Sequence, residues 1–197
     1  AALVYPNTKL NYLIAFFIGF LLPAGIFIWR KSIYSKIEEK EEIKSNTPIP
    51  ILHALEHNPH NTDLPGHYYP QSPIADSFRY IRTNLLFRLK SYHNKIISVS
   101  SMISGEGKSF ITANLGAILA MGGFKTLIIS ADIRKPTIQK IFSINNKQGI
   151  SEYLVNNFNH ENLIHFTMVE NLYIIPAGQN LSNSGDIFSA NKIESLL

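Results

Sequence analysis

The feature that most narrows what this chain can fold into is the stretch "KIISVSSMISGEGKSFITANLGAILAMGG", residues 95–123. It opens on a β-rich apolar run at 95–99, crosses a loop carrying two glycines and a lysine, and closes on an apolar segment. In that segment Ile111, Leu115, Ile118 and Leu119 share one helical face, and Gly122 and Gly123 supply a stop. A loop of this kind between a buried strand and a helix is the setting in which backbone amides hold phosphate. Gly105 and Gly107 lack a Cβ, so their neighbouring N–H groups can turn inward. The helix beginning at Lys108 aims the positive end of its dipole at the same place. Lys108 is of a length to reach β and γ phosphates, and the Ser109 hydroxyl suits Mg²⁺. The strict pattern has glycine at 102, where this chain has Met102, but the core "GEGKS" is intact.

A second apolar strand is predicted over 125–131, "KTLIISA", followed by "DIRKP". Asp132 then sits at a strand's carboxyl end, where open parallel sheets bind ligands. A carboxylate there can hold Mg²⁺ or accept a proton from an attacking hydroxyl, and Arg134 and Lys135 place positive charge beside it. The bland alternative is a helix cap leading into Pro136. "QGISEYLV" reads as a glycine and a short helix, and 172–175 as a third strand. Strand alternating with helix argues for a parallel sheet with right-handed crossovers. The closing "NKIESLL" reads as a helix. The chain starts at Ala1 rather than methionine, so it is expected to be a fragment; no later strand carries a second Mg²⁺-binding aspartate, so the catalytic domain is expected to be truncated at its C-terminal end.

Upstream, residues 12–29, "YLIAFFIGFLLPAGIFIW", carry no charge. Eighteen helical residues cover about 27 Å, close to the roughly 30 Å hydrocarbon core of a bilayer. Tyr12 and Trp29 lie at its ends, where aromatic rings favour the interface. Lys9 alone precedes the run closely, whereas Arg30, Lys31 and Lys36 follow it, which places the C-terminal side in the cytoplasm. Residues 33–43 read as a charged helical continuation. Residues 44–72 hold five of the chain's ten prolines and read as a connector with at most one short strand in "IPILHAL". His53, His57, His60 and His67 lie in it without a metal-ligand pattern, since Pro59 interrupts any helix before His60. The net charge of +4 is modest and dispersed and argues only weakly for nucleic acid, so no nucleic-acid partner is expected; with no cysteine there is no disulfide or thiolate metal site.

From Ser72, "SPIADSFRYIRTNLLFRL" has a serine cap, a proline just inside, and Ile74, Phe78, Ile81, Leu85 and Leu89 at helical spacing. Asp76, Arg79 and Arg82 form a neighbouring stripe, with Asp76 and Arg79 placed for a local i, i+3 pair.

Taken in order, "YPNTKLNY", the spanning helix, the Pro-rich linker, "SPIADSFRYIRTNLLF", "SSMISGEGKSF", "LIISADIRKP", "GISEYLV" and "IIPAG" resemble the bacterial tyrosine kinases fused to chain-length determinants of capsular or exopolysaccharide export. The resemblance implies an α/β fold: a P-loop NTPase-like parallel sheet, truncated, preceded by one transmembrane helix. Its implied parts are a periplasmic end (1–9), the transmembrane helix (10–29), a juxtamembrane helix and linker (30–71) and the kinase domain (72–197). It implies ATP·Mg²⁺ held by Ser104, Gly105, Glu106, Gly107, Lys108, Ser109 and Phe110, with Ser109 and Asp132 as metal ligands and Lys108, Asp132 and Arg134 as catalytic residues. Asp76, Arg79 and Arg82 resemble the family's E-x-x-R-x-x-R motif, through which a homo-oligomeric ring forms. Membrane location, a tyrosine-rich C-terminal tail phosphorylated between neighbours, a tyrosine phosphatase, and the polysaccharide polymerisation and export machinery are implied likewise. Two departures stand out. Asp76 replaces the usual glutamate, and Ser130 replaces the first aspartate of the D-x-D-x-R motif, where a hydroxyl cannot supply the same charge. The departure at Ser130 points also to a catalytically weak co-polymerase, and residues 98–135 resemble partitioning or division-site ATPases. Tyr34, Tyr68, Tyr69, Tyr80, Tyr92, Tyr153 and Tyr173 form no dense cluster, so no phosphosite is nominated.

Overall fold

The computed structural model describes residues 8–33, 47–90, 95–145, 148–156 and 163–178. The predicted helices at 33–43 and at the C-terminal end lie outside these residues. The chain divides into two compact units, Ala1–Ile51 and Leu52–Leu197.

In the first unit, α1 (Thr8–Ile33) is one continuous helix through Pro23. Its stretch Thr8–Arg30, 23 residues long, is apolar enough to cross a membrane, and none of its apolar window is buried. A core helix of a soluble protein would bury such a surface. By length and composition α1 is a candidate membrane span.

The second unit contains α2 (Pro65–Tyr68), α3 (Pro73–Arg88), α4 (Lys108–Met121), β1 (Thr126–Ile129), α5 (Ile138–Ile141), α6 (Ile150–Asn156), β2 (His165–Phe166) and β3 (Leu172–Ile175). The strands lie in the order β1-β3-β2. β1 and β3 are parallel, with Thr126 opposite Leu172 and Ile129 opposite Ile175. β2 is antiparallel to β3, so the sheet is mixed rather than wholly parallel as expected. Only a short turn separates Phe166 from Leu172, and a connection that short can return the chain only to an antiparallel neighbour.

Alternate strand residues face opposite layers. Ile128, Leu172 and Ile174 pack with Ala113, Ala117 and Ala120 of α4. The small alanines bring helix and sheet close; a Cβ on Gly116 would lie 2.7 Å from Ile128 Cδ1. Ile175 and Ile129 join Ile150 and Leu154 of α6 on the other face. The second flank of α4, Leu115 and Ile118, meets Ile74, Phe78 and Ile81 of α3. Thus α4 is covered on two sides, which explains why it is apolar nearly all round. α3 starts as its sequence predicts: Ser72 caps it, accepting from Ala75 N at 3.4 Å, and Pro73 enters the first turn.

Two local readings differ from the structure. The run 95–99 forms no ladder, and Ile96 and Ile97 are 66% and 38% exposed. A strand is stabilised by its neighbours, and no described strand pairs with this one. "IPILHAL" forms no strand either. Leu52 and Leu55 instead pack on the α3–α4 cluster. Asn84 Nδ2 donates to Leu52 O at 3.0 Å, tying this segment to α3.

Candidate phosphate-binding site

The glycine-lysine loop enters α4 through two residues in the left-handed region, Gly105 at φ 98° and Gly107 at φ 90°. A side chain at either would be strained, and the pair lets successive amides turn toward one side. Gly107 is the N-cap, and its carbonyl accepts from Ile111 N at 2.9 Å. The amides of the first turn therefore face the loop without intrahelical partners. Lys108 Nζ donates to Ser101 Oγ at 3.0 Å, and that hydroxyl donates to Ile103 O at 2.9 Å. Glu106 Oε2 accepts from Ile103 N at 3.3 Å, closing the loop on itself. Ser104, Gly105 and Glu106 are exposed, and Lys108 and Ser109 are half-buried. Phe110 points elsewhere: its ring lies 6.0 Å from that of Phe78 and anchors the helix start to α3.

Helix α4 runs back antiparallel to β1 across a short turn, and Ile128 meets Gly116 halfway along it. The chain leaving β1 therefore heads toward the loop end of α4. Ser130 continues the ladder, its N donating to Ile175 O at 2.9 Å, and is 4% exposed. Ile133 is 2% exposed and pins the following bend into the core, while Asp132 and Arg134 on either side of it stand in solvent. Asp132 Oδ1 accepts from Lys135 N at 3.0 Å, so the carboxylate shapes its own loop. Its Oδ2 has no partner among the described residues.

This donor set fits a triphosphate with a divalent cation. It offers two left-handed glycines, a helix amino end, an ammonium group and the Ser109 hydroxyl, and the chain that carries the Asp132 carboxylate leaves β1 toward this end of α4. Among the described residues no three His, Asp or Glu side chains cluster as a metal site of their own. Two of the four linker histidines stack on aromatic rings: His60 on Tyr69 at 3.7 Å and His53 on Tyr80 at 5.1 Å.

The third predicted group is separate. Arg79 Nη1 meets Asp76 Oδ1 at 2.6 Å on the surface of α3, the i, i+3 pair foreseen from spacing. Arg82 turns inward, donating to Ile118 O at 2.9 Å, near the carboxyl end of α4. Ten helical residues, about 15 Å, separate that carbonyl from Lys108.

A family model described as AAA domain matches residues 94–196. CapB of Staphylococcus aureus is 35% identical over 130 residues, covering 66% of this chain and 57% of CapB. The tyrosine-protein kinase ptk of Acinetobacter johnsonii is 28% identical over 202 residues, 96% of this chain and 28% of ptk. The chain belongs to the AAA domain family, and the relatives it matches bear the names of bacterial tyrosine-protein kinases. The solved BceF tyrosine kinase domain superposes on this chain with a TM-score of 0.71 at 25% identity, covering 81% of this chain and 72% of that domain. This member of the family spans little more than half the length of CapB and less than a third of ptk.

Two side chains bonded to the loop or to the first turn of α4 were not singled out from sequence, Ser101 beside Lys108 and Asn114 within α4. For Asn114 the signal was present: a lone amide in the apolar run "ITANLGAILA".

Proposed function

We propose that this chain is the membrane-anchored, nucleotide-binding part of a tyrosine-protein autokinase that uses ATP·Mg²⁺ and tunes capsule or exopolysaccharide chain length and export. The observation that carries the reading is the loop at 105–109, with both glycines in the left-handed region directly before α4. The kinase names of the relatives support the choice of reaction. Bound ATP·Mg²⁺ would supply the transferable phosphoryl group and the charge that neutralises its oxygens.

The chain's own groups then have defined tasks. Amides of 105–109 and the amino end of α4 hold the phosphates. Lys108 exchanges its Ser101 partner for a phosphate oxygen and offsets charge developing on it. Asp132 accepts the phenolic proton as the tyrosine oxygen bonds to the γ-phosphorus and the bond to the bridging oxygen breaks. Arg134 adds positive charge beside it. α1 places the nucleotide domain on the cytoplasmic side of the plasma membrane, and the Asp76–Arg79 surface of α3 joins subunits into a ring. Polysaccharide polymerisation and export proteins and a tyrosine phosphatase are its partners.

A second reading, a co-polymerase that binds nucleotide and transfers phosphate poorly, is favoured by Ser130. Its buried hydroxyl stands where a carboxylate would share the metal.

The test is transfer from γ-labelled ATP by the full-length protein. Label on tyrosine is expected, reduced at least about 100-fold in Lys108→Ala. No tyrosine label with ADP still bound would leave the co-polymerase. No magnesium-dependent ADP uptake by calorimetry would sink both.

A further inference from the structure

Asn114 is completely buried in the apolar part of α4, and both donors and one acceptor site of its amide are used. Nδ2 donates to Asp63 O at 2.8 Å and to Phe110 O at 2.9 Å. Oδ1 accepts from Gly66 N at 3.1 Å. Two of these three bonds leave the helix for the linker turn that carries α2, 48 and 51 residues away in sequence. The third returns to the first turn of α4, the turn that also presents Lys108 and Ser109. Gly66 is fitted to this contact: a Cβ there would lie 3.2 Å from Asn114 Oδ1 and 3.3 Å from Ile118 Cγ1. Leu64, 1% exposed, joins the same core as Ala113 and Ala117. A solvated linker would need none of this, and a buried amide left half-bonded would be costly.

We infer that Asn114 is a positioning residue through which the linker turn at 63–66 and the phosphate-binding start of α4 hold each other in place. The inference rests on the nucleotide reading above. Its consequence is reciprocal. If the linker turn helps to order the first turn of α4, phosphate that orders that turn must also steady the linker, by the same factor. The stretch leading from α1 would then sense whether the loop is filled, and a change in the linker would alter nucleotide affinity without touching a phosphate-binding group.

The experiment is hydrogen exchange by mass spectrometry on the full-length protein in detergent, with and without MgADP, alongside measured MgADP affinity. The variants are Asn114→Ala, Gly66→Ala and the control Leu154→Ala, which thins the core on the opposite sheet face. In the wild type, MgADP is expected to slow exchange over both 101–112 and 60–69. In Asn114→Ala and Gly66→Ala, affinity falls about fivefold or more. In both, the slowing over 60–69 disappears while that over 101–112 persists. Leu154→Ala melts at a lower temperature yet keeps both the affinity and the paired slowing. Slowing over 60–69 that survives in Asn114→Ala, is missing from the wild type, or is lost equally in Leu154→Ala overturns the inference. Should the wild type bind no MgADP, the nucleotide reading fails by itself. The coupling is then decided by nucleotide-free exchange over 108–112: faster in Asn114→Ala if it holds, unchanged if it does not.

Discussion

Ser130 and Asp132 show how far two neighbouring residues differ in what they can contribute. Ser130 is 4% exposed and bound into the β1–β3 ladder by its backbone. Ser130→Asp would bury a carboxylate there, costing about 3 kcal/mol without a cation to meet it. Its melting temperature should therefore fall in apo protein and recover disproportionately with Mg²⁺ and ADP, measured by scanning calorimetry. Asp132 is exposed, and one oxygen caps its own bend. Asp132→Asn keeps that acceptor while removing the charge. Stability is expected to stay within about 0.5 kcal/mol, while label transfer to tyrosine falls; unchanged transfer would remove Asp132 from the chemistry. Gly105, Gly107 and Lys108 were legible because their demands are local: a left-handed backbone and a helix start are set within five residues. The lodging of Lys108 on Ser101, seven residues back, depends on how the loop closes.

At the scale of elements, α3 carries two arginines with opposite fates. Arg79 sits on the surface, paired with an exposed Asp76, and such pairs add little to folding. Arg79→Ala should change unfolding free energy by less than about 0.5 kcal/mol, and any loss of assembly, followed by light scattering, would reflect the subunit contact. Arg82 binds a carbonyl near the negative end of α4. Arg82→Ala is expected to cost about 1–2 kcal/mol in denaturant unfolding. Equal small effects for both would mean that Arg82 is not a helix latch. The stripe of Asp76, Arg79 and Arg82 was visible from spacing, but its division into an outward pair and an inward cap was not. That division depends on α4 lying against α3.

For the whole molecule, the composition of α1 and the positive flank after it lead to one topological expectation. In sealed right-side-out vesicles of the full-length protein, residues after α1 should resist added protease and become cleavable in inverted vesicles; cleavage in the first preparation would reverse the orientation. What the sequence determined by itself was whatever short-range chemistry fixes: the apolar length of α1, the capped start of α3, the glycine loop and its helix, and β3. Tertiary structure decided the rest. Residues 44–72 read as a connector because prolines and polar residues hide three apolar anchors, Leu52, Leu55 and Leu64, and their place on α3 and α4 appears only through partners such as Ser77 and Asn114. The two-residue β2 is too short for any period to mark and exists because β3 offers it an edge. The run 95–99 has the composition of a strand but no ladder among the described residues, since β propensity becomes a strand only when another backbone supplies the hydrogen bonds. Local patterns fix what a segment can become, and bonds spanning 36 to 51 residues, as at Arg82 and Asn114, fix which of those possibilities the fold keeps.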